Sequence, residues 1–184
     1  MAPRSFTWVS LVVGPVFVFA FAVHAAEDVV RLPLGKVGTL SVSVPTGTKR
    51  VEPPRGSAAM LSFESTQRNR MQLLLTPIPL ESGFMADAEV REMVEQGSAA
   101  VRSQAVESAF PLTLLKGDQA RGYYFRATDR APGPGEYKYL YQGAVMVGAS
   151  VVTFTVLYND TGKREAQAAL EVVRRMQLQA SGGI

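Results

Sequence analysis

The chain has 184 residues, 47% of them hydrophobic and 19% charged, with 16 Gly, 11 Pro, one His, one Trp and no Cys. Without a thiol there is no disulfide framework, no cysteine nucleophile and no thiolate-bound metal. The formal charge of +3 is slight and its basic residues are interspersed with acids, which argues against a nucleic-acid partner.

Residues 1–25 carry the pattern of a secretory signal. Arg4 and the amino terminus form a positive n-region, Trp8 to Val23 an apolar h-region, and Val23-His24-Ala25 places small residues at the −3 and −1 positions of a cleavage site. Cleavage is expected after Ala25, with Ala26 as the near alternative. The competing reading is an uncleaved anchor, since Phe6 to Val23 approaches the ~20 apolar residues that span a bilayer. Gly14-Pro15 and the small-residue exit favour cleavage, which implies a periplasmic or secreted protein with no stable membrane span. Trp8 and His24 leave with the signal, and loss of Arg4 lowers the net charge to +2. A Ser-His-Asp triad, a histidine base and histidine-bound metal or haem are thereby excluded, and no metal or cofactor is expected.

Beyond the signal, Val29 to Pro33 and Val37 to Val44 read as strands. Leu40, Val42 and Val44 alternate with Thr39, Ser41 and Ser43, the period of a half-buried strand, and Pro45-Thr46-Gly47 ends it. A turn over Glu52 to Ser57 precedes two more strands, Met60 to Glu64 and Met71 to Thr76, the second closed by Pro77 and Pro79. From Ala86 to Ser108, Val90, Met93, Val94, Gly97, Val101 and Ala105 recur at three- and four-residue steps, predicting an amphipathic helix of about six turns.

Strand grammar returns at Leu112 to Leu115, Gly122 to Thr128, Tyr137 to Val147 and Ser150 to Tyr158, with Gly148-Ala149 as a tight hairpin connection. Between the second and third of these lies the Pro- and Gly-rich loop Arg130 to Gly135. Asp160 or Thr161 is expected to cap a last helix with Ala166, Ala169, Leu170, Val173 and Met176 as its apolar stripe. Residues 179–184 read as a flexible tail.

The order of elements predicts a single α+β domain over residues 26–178: one antiparallel sheet of about seven to eight strands, with a long mid-chain helix and a C-terminal helix packed on it. An early hairpin ending in Val44-Pro45, the long helix, the meander through Tyr137-Lys-Tyr-Leu-Tyr-Gln-Gly and Val151-Val-Thr-Phe-Thr-Val-Leu-Tyr, and a closing helix with Leu170 and Met176 give it a topology that resembles PsbP and the small DcrB-like envelope proteins. The chain lacks the lipobox Cys of the lipoprotein members. The resemblance implies an assembly or binding role and transfers no site residue.

Candidate site residues come from the second half, where all six Tyr lie after residue 122. Tyr137, Tyr139 and Tyr141 fall two apart, with Tyr124 on a neighbouring strand, so they form either a wall that stacks on a ligand or partner or an aromatic ladder under a helix. Arg126 and Arg130, together with Arg68, Arg70 and Arg121, are candidates for an arginine cluster suited to carboxylate or phosphate. Glu89, Glu92 and Glu95 share a helix, and Asp118 with Asp129 is the carboxylate pair considered for a hydrolase. Asn159-Asp160-Thr161 matches a glycosylation acceptor but sits where a strand turns into a helix, which favours capping.

The expectation is a monomeric or weakly dimeric, non-catalytic binding or assembly protein of the bacterial envelope. It recognises a protein or envelope component through Tyr137, Tyr139, Tyr141, Tyr124, Arg126 and Arg130. The alternatives are a His-free hydrolase using a carboxylate pair and a periplasmic immunity or inhibitor protein.

Overall fold

A computed structural model of the protein describes residues 28–181, so the expected signal and its Ala25 cleavage site lie outside the described residues. Strands β1 (Val29–Pro33) and β2 (Thr39–Ser43) form a hairpin; β3 (Thr48–Val51), β4 (Leu61–Ser65) and β5 (Met71–Pro79) follow. Helix α1 (Asp87–Val101) leads to β6 (Thr113–Lys116), β7 (Ala120–Thr128), β8 (Tyr139–Val147) and β9 (Ser150–Tyr158), and the chain closes with α2 (Lys163–Arg174) and β10 (Gln177–Gln179).

Seven strands make one antiparallel sheet in the order β3-β4-β5-β9-β8-β7-β6. The α+β class stands, but β1 and β2 do not join that sheet. They pair with β10 in a separate three-stranded sheet, in which Leu178 lies opposite Leu40. The reason is one-sidedness: Leu40 and Val42 are fully buried, while Thr39, Ser41 and Ser43 alternate outward. A Gln-Leu-Gln strand carries almost no local signal and forms because β2 offers it an edge. Close approach is built in, since a Cβ on Gly38 would lie 2.1 Å from the Gln179 carbonyl oxygen.

Alternation along β7 sorts the layers. Phe125 and Ala127 face α1, joining Val90, Val94, Ala144 and Val151 in one apolar cluster. The opposite face carries Leu73, Leu75, Val145, Phe154 and Val156. It is covered by Ala166, Ala169, Leu170 and Val173 of α2 and by Leu40 and Val42 of the small sheet. The two helices therefore sit on opposite faces of the main sheet, and each fully buried side chain of this kind stabilises the fold by about 1.5–3 kcal/mol.

Several elements differ from the sequence reading. Helix α1 ends at Val101, short of Ser108, because Ala105 bridges to Asp129 and the Val106 N–H donates to the Thr128 carbonyl at 2.8 Å, drawing this segment into extended pairing with β7. Its start is held by the Glu89 carboxylate, which accepts the Ala86 N–H at 2.7 Å. The short strand β3 has Lys49 and Arg50 at its centre, so neither period nor apolarity marked it. Helix α2 begins at Lys163 after a 3-10 turn over Asp160–Gly162, with no side chain capping it.

Candidate functional site

The structure divides the tyrosines that the sequence groups together. Tyr137 precedes β8, so it does not share a strand face with Tyr139 and Tyr141. Tyr139 stacks on Tyr158 at 5.2 Å between ring centroids, and Tyr141 meets Tyr158 at 4.9 Å and Tyr124, edge-on, at 5.7 Å. Tyr124 lies opposite Gly143, whose missing side chain leaves room for the ring to approach Phe154 at 6.5 Å. Tyr141 and Tyr158 are only 5% and 4% exposed. Burial pushes the Tyr158 phenol well above its ordinary range, with the Tyr141 phenol beside it adding to the shift. Tyr141 is thus a member of the larger core rather than of an open wall, because α2 and the small sheet cover this face.

At the margin of this aromatic row, the Tyr139 hydroxyl donates to Asp160 at 2.7 Å, and the Lys138 ammonium lies 5.0 Å from the Tyr139 ring centroid and 3.7 Å from Asp160. Exposed Arg126 lies 5.9 Å from the Tyr141 ring centroid. The arginine cluster does not assemble. Arg70 pairs with Glu165 at 2.9 Å and Arg121 with Asp87 at 3.1 Å. Arg130 donates from Nη2 to the Ala105 carbonyl at 2.8 Å, which ties the end of α1 to the end of β7.

The Arg130 to Gly135 loop is pinned at several points. The Arg130 N–H donates to the Gln104 carbonyl at 2.9 Å, the Ala131 N–H to Asp129 at 2.9 Å and the Gly133 N–H to Glu136 at 2.7 Å, while the Asn69 amide donates to the Gly135 carbonyl at 3.3 Å. Asn159 binds the same region from beneath. Its Oδ1 accepts the Lys138 N–H at 2.9 Å, and its Nδ2 donates to the carbonyls of Asn69 at 2.9 Å and Glu136 at 3.3 Å. The side chain that matched a glycosylation acceptor is therefore occupied in fastening three loops together, and it does not cap α2.

Between the end of α1 and the ends of β7, β8 and β9 lies a cleft of about 210 Å3. Val101, Ala105, Ala127, Leu140 and Leu157 supply its apolar walls, and Gln104, Asp129, Tyr137 and Lys138 lie at it. Burial raises the Tyr137 phenol, with the Glu64 carboxylate adding to the effect. The site is thus centred on Tyr137, on Val101 at the end of α1 and on Ala105 beyond it, the last two assigned by the sequence only to a helix stripe. The signal available for them was weak: Ala105 falls beyond the helix end and meets the cleft because the chain turns back to pair with Asp129.

The acidic candidates separate. Glu89 holds the α1 start, Glu92 accepts from Gln96 at 3.3 Å, and Glu95 pairs with Arg91 at 3.0 Å. Asp118 and Asp129 lie beyond opposite ends of β7, whose nine residues span about 30 Å at ~3.3 Å per residue. Among the described residues there is no group of three or more His, Cys, Asp or Glu side chains placed to hold a metal ion, and no helix is long and apolar enough to cross a membrane.

No family model matches the chain, and no curated protein matches it in sequence. Solved structures do match in shape. The cyanobacterial PsbP (CyanoP) of Synechocystis sp. PCC 6803 superposes with a TM-score of 0.55 at 11% identity, over 86% of this chain and 96% of that one. A protein of Bacteroides thetaiotaomicron VPI-5482 gives a TM-score of 0.50 at 13% identity, over 78% of this chain but only 46% of its own length. At such identities the likeness concerns fold alone. The chain has a PsbP-like α+β topology.

Proposed function

We propose that this chain is an exported, non-catalytic binding or assembly protein of the bacterial envelope, and that it holds a protein partner by an apolar side chain inserted into the cleft between α1 and β8. The observation that carries this reading is the cleft of about 210 Å3, walled by Val101, Ala105, Ala127, Leu140 and Leu157. Small-molecule sites run to roughly 300–1,000 Å3, so this one is undersized for a substrate and suits a single anchoring side chain of an interface hot spot. The neighbouring groups support the same use. Tyr137 offers an amphipathic ring at the cleft, Asp129 and Lys138 offer opposite charges, and the pinned Arg130 to Gly135 loop requires little ordering on binding. Export rests on the signal-like pattern of residues 1–25.

The test is co-purification from envelope extract, with Leu157→Asp and Tyr137→Ala beside the parent protein and bound chains identified by mass spectrometry. A partner retained by the parent and lost from Leu157→Asp, while the thermal midpoint of Tyr137→Ala stays within a few degrees of the parent's, supports the reading. The same set of bound proteins with all three would overturn it.

A further inference from the structure

We propose that the β6 edge of the main sheet is a self-pairing surface, through which two copies of this chain join their seven-stranded sheets about a two-fold axis at Leu114. The sheets have four outer strands, β1, β3, β6 and β10. Three carry devices that discourage pairing. β1 has Arg31 and ends on Pro33, β3 has Lys49 and Arg50 at its centre, and β10 is three residues long, with the Leu178 N–H already donating to Gln119 at 2.9 Å. β6 reads Thr-Leu-Leu-Lys, with one charge at its end and Leu114 47% exposed in the middle.

The backbone phase follows from its hairpin. The Gly117 N–H donates to the Ala120 carbonyl at 2.8 Å, and hydrogen-bonded pairs recur every second residue in an antiparallel ladder. Leu115 and Thr113 therefore turn their amides toward β7, and Leu112, Leu114 and Lys116 turn theirs away from the sheet. Among the described residues, none of these three outward amides donates to an acceptor.

A second copy fits this edge in one register without conflict. With Leu114 opposite Leu114 of the other copy, each donates its N–H to the other's carbonyl. Leu112 then pairs with Lys116 on either side, which makes six backbone hydrogen bonds in all. No like charges face one another, and the Lys116 stem lies along an apolar neighbour. Leu112 already packs against the α1-side cluster, and Leu114 shares its face by alternation, so pairing extends that cluster across the axis. This surface is separate from the cleft, and its test is independent of the cleft's partner.

Sedimentation velocity of the purified protein from about 5 to about 500 μM reads the association directly. The parent is expected to move from one chain toward two as concentration rises. Leu114→Pro removes an outward N–H and leaves the β6–β7 bonds untouched, and Leu114→Lys sets two ammonium groups opposite each other. Each should raise the midpoint concentration at least about tenfold. Should the proline variant not fold, the lysine variant decides alone. A parent that sediments as one chain at every concentration, or a dimer unchanged by Leu114→Lys, overturns the proposal.

Discussion

The Tyr141 ring lies 4.9 Å from the Tyr158 ring, tilted by 34°, and both side chains are sealed between the main sheet and the layer of α2 and the small sheet. This contact separates the two buried tyrosines that hold the fold from Tyr137, which meets the cleft. Tyr141→Ala should cost about 3 kcal/mol, as for other buried aromatic truncations, whereas Tyr137→Ala, at a half-buried position, should cost about 1 kcal/mol. Urea unfolding of the two variants checks the contrast, and equal losses would contradict the assignment.

Asn159 joins the turn before β5, the loop before β8 and the end of β9 through three side-chain hydrogen bonds. Asn159→Ala strands the partners of those bonds and should destabilise by about 1–3 kcal/mol. Faster amide exchange is expected at Lys138, whose N–H loses its acceptor. Exchange rates at Lys138 identical to the parent's would show that the bridge is dispensable.

Acid stability should depend on two carboxylates. Burial acts to raise Glu107, but the hydroxyl and N–H of Thr128, at 2.7 and 2.8 Å, hold it below its ordinary value. Asp87 is held low by the Tyr123 hydroxyl at 2.6 Å and by Arg121. A carboxyl with a lowered folded value adds stability above its unfolded pKa of about 4, and that stability fades as pH falls through the folded value. Glu107→Gln should therefore lower the thermal midpoint at neutral pH and lower it progressively less as the pH falls below about 4. A midpoint difference independent of pH would refute the assignment.

Gly143 lies opposite Tyr124, and a Cβ there would sit 2.2 Å from the Tyr123 carbonyl oxygen. Because the obstruction is backbone, it cannot be relieved by a rotamer change. Gly143→Ala should destabilise by about 1–3 kcal/mol and weaken the packing of Tyr124 on Tyr141. Thermal melts followed by near-ultraviolet circular dichroism report both effects, and an unchanged aromatic signal would count against this account.

Much of the architecture was legible from local pattern. Period-two alternation around Leu40 and Val42, the three- and four-residue steps of Val90 and Val94, and the Gly148-Ala149 connection each encode an element through contacts close in sequence. The missing cysteines, and the one histidine at position 24, likewise limited the chemistry. What alternation could not say was which of two covered faces a side chain meets. Tyr139 and Tyr141 have the same phase, yet Tyr139 is half-buried and reaches Asp160 while Tyr141 is sealed in the larger core. The same holds for β10, whose pairing is supplied by a strand more than a hundred residues earlier, and for the cleft, which needs Ala105 folded back onto Asp129. Composition and period are properties of neighbouring residues, and they determined the elements and the chemistry that is ruled out. Burial of a given ring, and the meeting of α1 with the ends of three strands, depend on contacts distant in sequence, and only the tertiary structure decided them.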